Sequence, residues 1–177
     1  TFEPHPIRVL KKNGQPPLIT LYEQKIELIA RTGIDVLVCI RFDEAFASVS
    51  AEEFATDILV RRIGAKAVII GADYAFGRNR EGNVTFLKEC GSKHGFEVIV
   101  AKWISDTLHA GKRISSTRVR EVVTAGDVEE ARHLLGRHYQ VRGRVVSGRN
   151  RGGKLLGFPT ANIHLSDELC PKTGVYA

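Results

Sequence analysis

"KAVIIGADYAFGRNREGN", residues 66–83, is the stretch whose reading decides the fold. Its first part, "KAVIIG" (66–71), is a short apolar run rich in β-branched residues, the pattern of a strand buried on both faces. "GADYAFGRNREG" (71–82) then offers glycines, two aromatic rings and two arginines, and Asn83 can cap a helix running through about Lys93. A strand, a ligand-sized loop and a helix in that order form the repeating unit of an open α/β sheet. In such sheets ligands bind beyond the carboxyl ends of the strands, where this loop falls.

The same unit recurs on either side. Upstream, "TLYEQKIELIARTG" places Thr20 and Glu23 at capping-box spacing and ends at Gly33, predicting a helix. "VLVCIRF" (36–42) reads as another buried strand. Ser50 with Glu53 forms a second capping box for a helix ending at Gly64. Downstream, "GFEVIVAKW" (95–103) is a strand, and "SSTRVREVVTAG" and "DVEEARHLLG" each show a cap, an amphipathic run and a terminal glycine. Strands alternating with helices over residues 1–136 predict a doubly wound parallel sheet. From Tyr139 the texture changes to "YQVRGRVVSG", a period-2 run that predicts a second, all-β domain. The expected division is 1–137 and 138–177.

The 177 residues, 43% hydrophobic, are enough for a full core in one domain or a domain and part of another. The formal charge is +6, from 26 Lys and Arg against 20 Asp and Glu. Much of the excess lies between Lys112 and Lys154, which points to an anionic partner, nucleic acid or a phosphate-bearing small molecule, or to a plain solvated basic surface. Cys39, Cys90 and Cys170 show no zinc-ligand spacing and read as reduced, mostly buried thiols of a cytosolic protein. No stretch approaches the roughly 20 apolar residues of a membrane span, and no signal-peptide pattern opens the chain. The chain starts at Thr1, inside what reads as the end of a strand, so the natural protein is expected to begin earlier.

Four segments carry candidate chemistry. In the 71–82 loop, Asp73, Tyr74, Phe76, Gly77 and Arg80 are the candidates: aromatic rings to cover a planar ligand, backbone amides and guanidinium groups to meet phosphate. The bland alternative makes Phe76 a core plug and Gly71 a turn residue. No Walker loop and no G-x-G-x-x-G following a strand is present. "RISSTRVR" (113–120) brings Arg113, Ser116, Thr117 and Arg120 to a helix start, where free amides, hydroxyls and guanidinium groups suit phosphate. Ser115 or Ser116 as a simple cap is the alternative. Arg118 and Arg120, two apart, cannot share a helical face, so one of them is structural or solvent-facing. His5 stands between Pro4 and Pro6, either at a phosphate or filling a turn. "GRNRGGKLLGFPTAN" (148–162) joins a basic loop to Thr160 and Asn162, whose oxygens suit Mg2+ and phosphates, or are polar residues of an ordinary hairpin.

Taken in order, "TFEPHP", "GADYAFGRNREG", "RISSTRVR", "LLGRHYQVRGRVVSG" and "GFPTAN...GVYA" resemble the motifs of the bacterial bifunctional FAD synthetase family, riboflavin kinase joined to FMN adenylyltransferase. The resemblance covers essentially the whole chain. It implies a nucleotidyltransferase domain that transfers AMP from ATP to FMN, releasing pyrophosphate, and the start of a β-barrel domain that phosphorylates riboflavin with Mg-ATP. It implies that His5 lies near the nucleotide phosphates, and that Asp73 and its loop border the flavin and ATP pocket. Arg113, Ser116, Thr117 and Arg120 would be the catalytic set on the triphosphate. Thr160 and Asn162 would bind Mg2+ and ATP, with Thr160 the metal ligand. Some members carry Asn at the position of Asp73.

Two departures from the family pattern set further expectations. Nothing like the family's H-x-G-H signature precedes Thr1, and the chain stops at Ala177, ahead of the carboxylate base that the family's kinase domain uses. Each catalytic module is therefore expected to be incomplete, with a rate loss of about 10²–10³ for a missing electrostatic donor. The alternatives are a flavin- or nucleotide-binding fragment without turnover, and a nucleotidyltransferase for another phosphorylated acceptor. The expected partners are ATP, riboflavin and FMN, without nucleic acid or membrane. A homo-oligomer is compatible with the sequence, and the expected location is the cytoplasm.

Overall fold

The strand, loop and helix read at 66–94 are present in the computed structural model, which describes residues 1–11, 16–106, 111–147, 161–165 and 167–176. The chain forms two compact units, one built from Thr1–Gln15 with Leu37–Arg113, the other from Pro16–Val36 with Ile114–Ala177. Both are discontinuous in sequence.

In the first unit, β1 (Phe2–Glu3) pairs in parallel with β2 (Ile40–Arg41). α1 (Pro6–Leu10) and α3 (Glu44–Ala47) follow these strands, with Asp43 Oδ1 accepting from the Phe46 amide at 2.9 Å to open α3. α4 (Ala51–Glu53) starts where expected, the Ser50 hydroxyl accepting from the Glu53 amide at 3.1 Å. It continues as a wider π-helical stretch, Phe54–Ile63, and stops at Gly64, whose φ of 67° is left-handed. β3 (Ala67–Gly71) lies parallel to β4 (Glu97–Ala101), Ile69 opposite Ile99. Between them α5 (Val84–His94) is capped by Asn83, as its sequence predicts. Its buried Leu87 and Cys90 pack with Ala51, Ala55, Ile70, Phe76 and Phe96.

The second unit holds α2 (Tyr22–Ala30), α6 (Ser116–Ala125), α7 (Val128–Leu135) and an antiparallel pair, β5 (Arg144–Val146) with β6 (Asn162–His164). Ser115 and Asp127 cap α6 and α7, and Gly126 and Gly136 end them with left-handed φ, all at the positions the sequence marks. Their facing sides bury Val119, Val123, Ala131 and Leu134 with Leu169. Arg118 donates to Glu130 across the helix pair, with both side chains largely buried. The Tyr139 hydroxyl donates to the Leu169 carbonyl, and burial, reinforced by Cys170 and Glu168, pushes the phenol up to about 12.

The architecture is mixed α/β with small parallel sheets, and several expectations need correction in detail. The helix at 22–30 is not capped by Thr20 with Glu23. Leu21 is the capping position, its amide donating to Gln24 Oε1 at 3.2 Å, while the Thr20 hydroxyl accepts from Arg137 at 3.2 Å. Of the apolar run 36–42 only Ile40–Arg41 is strand, although Val38 and Phe42 also bond to Thr1 and Glu3, and Val36 and Val38 are exposed. Burial on both faces also fails for 66–71: Ile70 is buried but Ile69 is 69% exposed. A β-branched run shows strand preference, whereas burial depends on which layers cover each face. Two of the three cysteines, Cys39 and Cys170, are exposed, and only Cys90 is buried. No described helix is long and apolar enough to cross a membrane.

Candidate functional site

The 71–82 loop is held from within and from beneath. Tyr74 donates its amide to Gly71 at 3.1 Å, and Phe76 and Gly82 exchange two backbone bonds of 3.1 and 2.9 Å that pinch the loop closed. The Arg78 amide donates to the Val49 carbonyl at 2.7 Å, and Glu81 Oε1 accepts from the Ala51 amide at 2.8 Å. Gly77 is required twice over: its φ is 73°, and a Cβ there would sit 2.5 Å from the Ala51 nitrogen. Asn79 and Arg80 follow with φ of 53° and 61°, a left-handed pair without glycine's freedom, held by the surrounding bonds.

This loop forms one wall of an apolar cavity of about 550 Å3. Phe2, Phe42, Phe46, Phe54, Tyr74 and Phe76 supply the aromatic lining, and Asn79 and Arg80 stand among its polar residues. The rings make a continuous chain of contacts. Phe2 meets Phe42 edge-on at 5.4 Å, Phe54 tilts against Phe76 at 5.4 Å, and Tyr74 stacks on Phe76 at 5.4 Å and 20°. Phe76 is both a core residue, 7% exposed, and part of the cavity wall. Burial raises the Tyr74 pKa.

A second constellation lies just past β3 and β4. Asp73 and Trp103 each stand two residues beyond the paired strand ends Gly71 and Ala101. Arg113 reaches both: Nη2 is 3.1 Å from Asp73 Oδ2, and its guanidinium carbon is 3.2 Å from the centre of the Trp103 ring. The backbone bridge between Ser105 and Arg113 brings the arginine back beside β4.

The other candidates divide between the two units. His5, exposed, caps α1: its Nδ1 accepts from the Ile7 amide at 3.2 Å. Ser116 and Thr117 are exposed in the first turn of α6, behind Ser115, whose hydroxyl accepts from the Arg118 amide at 3.3 Å. Arg118 and Arg120 diverge as expected. Arg118 pairs with Glu130, whereas Arg120 donates to the carbonyls of Pro17 at 3.1 Å and Ser116 at 3.3 Å.

Tyr74, Phe76, Gly77 and Arg80 are thus brought together around the cavity, and Asp73 is instead joined to Arg113. Thr160 lies outside the described residues. Asn162 is exposed on β6 and does not line the nearby hollow formed by Leu21, Glu23, Arg142, Arg144, His164 and Glu168. Among the described residues no group of three or more His, Cys, Asp or Glu side chains could hold a metal. Asn162 offers one hard oxygen donor of the kind Mg2+ accepts, which by itself falls short of a magnesium site.

Trp103 and the phenylalanines at 2, 42, 46 and 54 were not singled out as site residues from sequence. The i, i+4 spacing of Phe42 and Phe46 is a local signal, but which strands carry their partners is not.

An α/β sheet with an aromatic cavity and an arginine at its strand ends places flat apolar faces and a positive charge where ligands of such sheets sit. Comparison with known proteins is more specific: the FAD synthetase family model matches residues 1–118, and the riboflavin kinase model matches residues 135–177. The chain belongs to the FAD synthetase family. A bifunctional riboflavin kinase/FMN adenylyltransferase of Buchnera aphidicola from Schizaphis graminum is 42% identical over 99% of this chain and 55% of its own length. The Escherichia coli protein of the same description is 36% identical, again over 99% of this chain and 55% of its own length. The chain therefore spans about half the length of these curated relatives. A crystal structure from Streptococcus pneumoniae, described as a macrolide-efflux protein, superposes with a TM-score of 0.82 at 33% identity, over 99% of this chain and 56% of its own.

Proposed function

We propose that the protein serves flavin cofactor biosynthesis, transferring AMP from ATP to FMN to give FAD and pyrophosphate, and phosphorylating riboflavin to FMN. The observation that carries this reading is the succession of FAD synthetase and riboflavin kinase matches along one chain. The domains would be 1–137, a doubly wound nucleotidyltransferase, and 138–177, the first part of a β-barrel kinase. The location would be cytoplasmic, with ATP, riboflavin and FMN as partners and a homo-oligomer compatible with it.

The aromatic cavity supports the flavin part. Its volume is in the range of small-molecule sites, and Tyr74 and Phe76 offer flat apolar faces to an isoalloxazine ring. Arg80 at its wall would meet the FMN phosphate. In the transfer, a phosphate oxygen of FMN attacks the α-phosphorus of ATP. One P–O bond forms as the bond to the β-phosphate oxygen breaks, and pyrophosphate leaves with the electron pair. Arg113, Ser116, Thr117 and Arg120 would bind the triphosphate, and the guanidinium charge would stabilise the growing charge on the leaving group. His5 would lie near the nucleotide phosphates, and Asp73 would steady Arg113. For the kinase, Thr160 and Asn162 would supply oxygen donors to Mg2+ and ATP. The ion, when bound, neutralises phosphate charge.

The test has two readouts. Titration of the chain with FMN, followed by flavin fluorescence, is expected to show quenching in the aromatic cavity. The protein in its natural full length, incubated with Mg-ATP and FMN or riboflavin, is expected to yield FAD and FMN on chromatography, with Arg113→Ala lowering FAD formation about 10²-fold or more. No flavin binding and neither product would overturn the proposal.

A further inference from the structure

Arg113 carries the phosphate role in the proposed transfer, and the inference drawn here rests on that reading. A long arginine side chain at a surface has many rotamers, and holding it in one of them costs conformational entropy unless its surroundings do the work. Here they do. The guanidinium carbon lies 3.2 Å from the Trp103 ring centre, close contact for a cation over an aromatic face. At its edge, Nη2 meets Asp73 Oδ2 at 3.1 Å. One face and one donor are thus committed to the protein.

The indole, partly exposed, is backed on one side. It stands two residues beyond β4, and its Cη2 comes within 3.4 Å of where a Cβ on Gly71 would lie, at the end of β3. The paired strand ends therefore support the ring, and the ring supports the arginine. Asp73 alone would be a weaker anchor: its side chain is 64% exposed and that of Arg113 is 47% exposed, so water screens the ion pair. A flat indole restricts the plane of the guanidinium in a way that a single exposed carboxylate does not.

We infer that Trp103 is a positioning residue: it holds the Arg113 guanidinium flat beyond the carboxyl ends of β3 and β4, ready for the phosphates of an incoming nucleotide. It touches no reacting atom and acts through Arg113.

Trp103 is the only tryptophan in the chain, so its emission reports this contact without interference. Arg113→Ala is expected to change the emission and to weaken ATP binding, read by calorimetry, about 10-fold or more. Trp103→Leu is expected to weaken ATP binding about 3- to 10-fold and Trp103→Phe, which keeps a ring, less than about 3-fold. Combining Trp103→Leu with Arg113→Ala is expected to weaken it little beyond Arg113→Ala alone, as for two residues acting as one unit. A merely structural tryptophan would give additive losses and no rescue by phenylalanine. If Arg113→Ala weakens ATP binding but Trp103→Leu does not, the positioning role falls and the role of Arg113 stands. If Arg113→Ala leaves ATP affinity intact, the phosphate reading of Arg113 falls and this inference with it. If Trp103→Leu fails to fold, the emission decides: a spectrum unchanged by Arg113→Ala overturns the stacking, and a shifted one, with its response to ATP abolished, supports it.

Discussion

The helix pair α6–α7 and the strand pair β3–β4 contain similar numbers of apolar residues and bury them differently. Across the helices, Val123 and Ala131 are fully buried, with Val119 and Leu134 nearly so. Across the strands, Ile70 is buried while the register-matched Ile69 and Ile99 are 69% and 40% exposed. Two adjacent helices can close a core between their facing stripes, and short capping signals place both ends of each. A sheet has two faces, and covering one says nothing about the other. The lesson is that apolar content predicts burial well for a helix stripe and poorly for a strand.

The largest expected effect tests the covered face. Leu87, fully buried between α5 and the sheet, should cost about 2–5 kcal/mol when replaced by alanine, read by urea unfolding. A loss well under 1 kcal/mol would mean that the strand pair is no better packed on this side than on the other. Next comes Gly77→Ala, which combines a left-handed φ with a 2.5 Å approach to the Ala51 nitrogen. We expect a loss of about 2–3 kcal/mol and weakened flavin binding, because the cavity wall must move.

The helix-pair unit carries an alkaline pH signature at Tyr139. Tyr139 has its folded pKa raised to about 12 from an ordinary value of about 10, so its proton is held more tightly in the folded state. Its contribution is complete below about pH 10 and is lost as the pH rises toward about 12, on the order of 1–2 kcal/mol. Tyr139→Phe should flatten alkaline denaturation over that window. Tyr74, raised in the same direction by burial, leaves a residual slope.

Smaller still, Ser115→Ala removes the α6 cap and should cost about 1 kcal/mol. Ile69→Thr, on the exposed face, should change stability by less than about 0.5 kcal/mol. A large loss there would show that this face is covered in solution and would remove the contrast.

Much of the candidate site was legible as segments. Residues 71–82 could be placed at the end of a strand, and Arg113, Ser116 and Thr117 at the start of a helix, since glycine, asparagine and serine act on their own backbone neighbours. Their partners were not legible. Asp73 with Arg113 spans 40 residues, and Phe54 meets Phe76 only because α4 and the loop are tied at Ala51, Glu81 and Gly77. The Thr20 hydroxyl likewise has its partner, Arg137, 117 residues away.

By itself, then, the sequence determined where most helices begin and end and that strands alternate with them, and it marked the loops put forward for chemistry. Those features follow from interactions within three or four residues. Only the tertiary structure decided which strand face is covered, that Phe76 is both core and cavity wall, and that Trp103 lies under Arg113. Each of these is a meeting of side chains from separate elements, set by how strands register and loops close, and residue preferences along the chain do not record it.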